Sequence, residues 1–105
     1  AATRMHHNHL CMQSGAYQNA CWVVGTAKAG DEDGFDLMAG SCIVNPDGEI
    51  VAVAETADDE LITFAADLDV CNMPKQTIFN FARHRRIEHY EIITNQTGVK
   101  IPSDL

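Results

Sequence analysis

Three histidines, His6, His7 and His9, crowd the N-terminus together with Cys11, and a metal site is the first chemistry such residues suggest. On a helix His7 and Cys11 share one face (i, i+4) and His6 and His9 another (i, i+3). No single face therefore presents the three or four convergent ligands that zinc requires. The four cysteines, Cys11, Cys21, Cys42 and Cys71, are widely and irregularly spaced, sit among apolar residues and form no CxxC pair. That pattern predicts reduced thiols rather than a disulfide framework. A nucleophilic cysteine needs an electropositive, partly open pocket. Cys42, inside the run SCIV, instead reads as a small buried hydrophobe. Lys28 follows an apolar run into a polar loop and reads as a solvated lysine. His84 and His89, beside Arg83, Arg85 and Arg86, read as a solvated or interface-facing basic cluster. Phe79 and Phe81 could suggest a ligand cage, but helical spacing with Ile78 makes at least one of them core or interface, and Asp47 and Glu49 read as turn residues. There is no glycine-rich phosphate loop, serine elbow or zinc-finger spacing. No catalytic residue, metal ligand or cofactor is expected within this chain.

The elements that would position these residues follow from periodicity. Residues 3–19 place Met5, Met12 and Ala16 on one helical stripe with Leu10 and Tyr17 beside it. Residues 21–27 (CWVVGTA) and 41–44 (SCIV) are continuous apolar runs, the pattern of strands covered on both faces. Between them AGDEDGFD reads as a polar surface loop. Asn45-Pro46-Asp47-Gly48 is a turn that returns the chain as an antiparallel strand over residues 49–55. After the acidic break at Asp58-Asp59-Glu60, residues 61–68 (LITFAADL) predict a further strand. Asp69 is the expected N-cap of a following helix that tolerates Pro74 near its start and repeats Ile78, Phe81 and Ala82 at helical spacing. The division is a body over residues 1–91 and a tail or interface arm over 92–105. Helix, strands, helix gives an α/β layered fold.

Composition bounds the partners. At 105 residues the chain is one small domain at most, able to bury roughly 60 to 65% of its unfolded surface. A formal charge of −8 argues against nucleic acid and against an anionic membrane surface. No apolar run approaches the roughly 18 residues of a membrane span. The N-terminal AATRMHHNH has no apolar h-region and no initiator methionine, and is read as a truncation inside a helix. Reduced thiols point to the cytoplasm.

From His7 to Tyr90 the chain carries MQSGAYQNACW, GSCIVNPDGEIVA, DDELITFAADLD and IFNFARHRR in succession. Together these resemble the C-terminal half of the nitrilase, or carbon-nitrogen hydrolase, superfamily, and within it the N-carbamoyl-amino-acid amidohydrolase branch. The resemblance implies the C-terminal portion of a four-layer α-β-β-α sandwich and a cysteine-dependent hydrolysis of non-peptide C–N bonds. N-carbamoyl-amino acids would yield amino acid, carbon dioxide and ammonia. It also implies a glutamate, lysine and cysteine triad in the N-terminal part of the fold, whose motifs are not in this chain, so the piece alone is expected to be inactive. His7 falls where that branch has a helix histidine facing the pocket, which makes it the single substrate-binding candidate; the alternative is a partly buried helix histidine bonded to a neighbour. The implied partners are a small carbamoyl or amide substrate and further subunits of a homo-oligomer. The alternatives are another nitrilase-type amidase, a β-ureidopropionase-like enzyme, or a non-catalytic binding or assembly domain that retains the fold.

Overall fold

A computed structural model describes residues 2–98. The stripe of Met5, Met12 and Ala16 folds as helix α1, Ala2–Gln18. It ends in a Schellman arrangement: the Cys21 amide donates to the Ala16 carbonyl at 3.0 Å and the Ala20 amide to Tyr17 at 3.2 Å. Ala20 closes the motif in the left-handed region, at φ 49, where glycine is the usual residue. The reversal sends the chain into β1, Val23–Gly25. The acidic segment is a hairpin rather than a plain loop: β2, Asp31–Glu32, pairs antiparallel with β3, Phe35–Asp36. Asp33 and Gly34 both carry positive φ, as a two-residue primed turn demands. Next come β4, Cys42–Val44, and β5, Ile50–Val53. The turn between them takes the expected form. The Asn45 side-chain oxygen accepts from the Asp47 and Glu49 amides at 3.0 and 2.9 Å.

β1, β4 and β5 form an antiparallel sheet with β4 in the centre. Register sets Gly25 and Val53 opposite Cys42, Val23 and Ile50 opposite Val44, and Val24 and Ala52 opposite Ile43, with a bulge between Ile43 and Val44. Alternation therefore sends Cys42 and Val44 to one face and Ile43 to the other. Ala16 of α1 closes over Cys42 and Val44, with Met12, Val23, Ile50 and Val53 around them, and this is the core. Helix and sheet make two layers, consistent with an α/β fold.

Four expectations change. The strands are apolar on both faces, yet only one is covered, and Val24 on the other is 69% exposed. Residues 61–68 join no ladder and run as an irregular segment, tied down where the Trp22 indole donates to the Asp67 carbonyl at 3.0 Å and the Trp22 and Phe64 rings lie 5.7 Å apart. A sequence rich in apolar and β-branched residues makes a strand only when it pairs with an edge, and this one pairs with neither β1 nor β5. The expected helix breaks into pieces: a 3-10 turn Leu68–Cys71, then α2, Asn72–Gln76, and α3, Phe81–His84. Its cap is Asp67, not Asp69, accepting from the Asp69 amide at 3.0 Å. One of the two aromatics packs as expected: Phe79 meets Tyr17 edge-on at 5.0 Å, while Phe81 is exposed. Beyond Tyr90 the chain makes a single helical turn, α4, Glu91–Thr94. The last part of the expected tail, residues 99–105, lies outside the described residues.

Candidate functional site

The most structured polar junction lies at one end of the sheet, where α1 passes over the segments that leave β1 and enter β4. Met5, His9, Met12 and Ala16 follow one another at helical spacing down the inner side of α1. Met12 packs over Gly25, and Met5 over Gly40, which holds φ 78. The half-buried His9 ring donates from Nε2 to the Gly40 carbonyl at 2.7 Å. A turn further on, the Gln13 amide donates to the Gly48 carbonyl at 2.8 Å, so α1 is fastened to both ends of β4. Ser41 joins the two strand ends: its Oγ accepts from the Ala27 amide at 2.8 Å and donates to the Ala27 carbonyl at 3.3 Å.

These segments border an open groove of about 380 Å³, with Lys28 and Ser41 on one side and Asp58, Asp59 and Glu60 on the other. Its charged groups are already engaged or solvated. Lys28 Nζ bonds Glu32 at 2.6 Å on the surface. The Glu60 carboxylate accepts from the Thr56 amide at 2.9 Å and the Glu55 amide at 3.0 Å. Those bonds hold its pKa below the usual carboxylate range. A carboxylate fixed in its charged form by a turn is a poor general acid.

His7, the substrate-binding candidate, is exposed on α1, two residues on from Met5 and so on the side turned away from the sheet. The fold does not bring it into the groove, and its nearest aromatic neighbour is His6, with ring centroids 5.8 Å apart. Cys42 lies fully buried beneath α1. Desolvation raises its thiol pKa, partly offset by a hydrogen bond from the Gly25 backbone. That is the opposite of what an attacking thiolate needs. Cys11 is exposed on the outer side of α1, and Cys21 and Cys71 are half-buried. Among the described residues no group of three or more His, Cys, Asp and Glu side chains could hold a metal ion, and no helix is long and apolar enough to cross a membrane.

Sequence reasoning paired His9 with His6 and passed over its bond to Gly40. The signal was present in the spacing: His9 lies four residues after Met5 and three before Met12, on the stripe already assigned to the core.

Residues 1–75, more than two thirds of the chain, match the family model described as carbon-nitrogen hydrolase. The matched span takes in α1, the sheet, the groove and the Asp67 cap.

Proposed function

The chain belongs to the carbon-nitrogen hydrolase family, and from that premise we propose that it is the C-terminal portion of a cysteine-dependent amidohydrolase that acts on N-carbamoyl-amino acids. The observation that carries this reading is a family match that ends on a one-sided fold: α1 covers one face of β1–β4–β5, and the apolar face around Val24 and Ile43 stays open. A sheet apolar on both faces suits the inside of a sandwich, and the resemblance puts the triad in the N-terminal part of that fold, outside this chain.

In that enzyme a cysteine thiolate attacks the carbamoyl carbon, a glutamate moves the protons and a lysine stabilises the oxyanion. None of the three comes from the residues described above. Cys42 is buried with a raised pKa, Lys28 is paired to Glu32, and Glu60 is held by backbone amides. The chain's part is structural and lateral. It supplies the inner sheet with its helix, and His7 stays the substrate-binding candidate on the resemblance alone, since on the outer side of α1 it faces away from the open sheet face; an imidazole there could donate to a substrate carboxylate or carbonyl only if another part of the enzyme closes over α1.

The test is hydrolysis of N-carbamoyl-amino acids, followed by ammonia release, for this chain alone and for the chain joined to an N-terminal portion that carries the triad. Turnover is expected only from the joined protein. Activity from the chain alone that disappears in Cys42→Ala would overturn the reading. Activity of the joined protein on simple amides but not on carbamoyl compounds would keep the family and change the substrate.

A further inference from the structure

We draw no further inference here: the strongest candidate, the uncovered apolar face of the β1–β4–β5 sheet around Val24 and Ile43, carries nothing beyond the function proposed above, because nothing in the structure shows what else covers it.

Discussion

Cys42 and His7 stand on opposite sides of the same helix-sheet unit, and their surroundings predict opposite consequences of substitution. Cys42 lies fully buried against Ala16 and Val44. Cys42→Ser puts a hydroxyl into that apolar contact, with the Gly25 backbone beside it. We expect a loss of about 1 to 3 kcal/mol in the complete enzyme proposed above, measured by urea unfolding, with kcat/KM unchanged. His7 is exposed, so His7→Ala removes little packing and should leave the unfolding midpoint within about 0.5 kcal/mol of the parent. If His7 lines the pocket, kcat/KM should fall at least tenfold; a variant with full activity would reduce it to a surface residue of α1. Gly40 gives a third expectation. Its φ of 78 places it in the left-handed region, and a Cβ there would stand 3.0 Å from the Met5 methyl. Gly40→Ala should cost about 1 to 2 kcal/mol from the backbone, more if Met5 cannot move. A midpoint equal to that of the parent would show that Met5 and the 39–41 segment yield freely.

At the scale of elements, β1, β4 and β5 form a sheet covered on one face and open on the other. Val23, Cys42, Val44 and Val53 pack beneath α1, while Val24, Ile43 and Ala52 alternate to the other side. Val24→Lys separates the two settings. In the chain alone the new side chain reaches water, and stability should change by no more than about 0.5 kcal/mol while solubility rises. In the complete enzyme the same ammonium would be buried against a second sheet without a partner, at a cost of about 3 to 5 kcal/mol. Thermal unfolding and activity of both forms would check this, and a complete enzyme indifferent to the substitution would mean that no second sheet packs on that face.

The whole molecule is a thin slab. Its extents are 54 × 40 × 18 Å and its radius of gyration is 18.8 Å. A compact chain of this length would have a radius near 13 Å. Among the described residues four apolar ones, Ala16, Ala20, Cys42 and Val44, are fully buried, while Leu61, Leu68, Met73, Ile78, Ile87, Ile92 and other large apolar side chains face solvent. So little buried area against so much exposed apolar surface predicts that the chain alone associates with itself or unfolds at low denaturant. Light scattering across a concentration series and amide exchange would read this directly. A monomer with slowly exchanging amides in β4 and β5 would show that the slab stands without further layers.

The sequence by itself determined the elements whose signals are local. The Met5, Met12, Ala16 stripe sets α1, and Asn45-Pro46-Asp47-Gly48 sets the turn between β4 and β5, because each depends only on residues a few positions apart. It also determined the family, since consecutive motifs survive without knowledge of their contacts. Where a segment's state depends on what lies beside it, only the tertiary structure decided. Residues 61–68 have the composition of a strand but pair with neither edge of the sheet, β1 or β5, and the helix expected after Asp69 breaks into short turns on an exposed surface with little packing to hold it. The contact of His9 with Gly40, 31 residues away, belongs to the same class. A pattern of residue types can place a side chain on a face, but only the fold brings the opposite backbone to it.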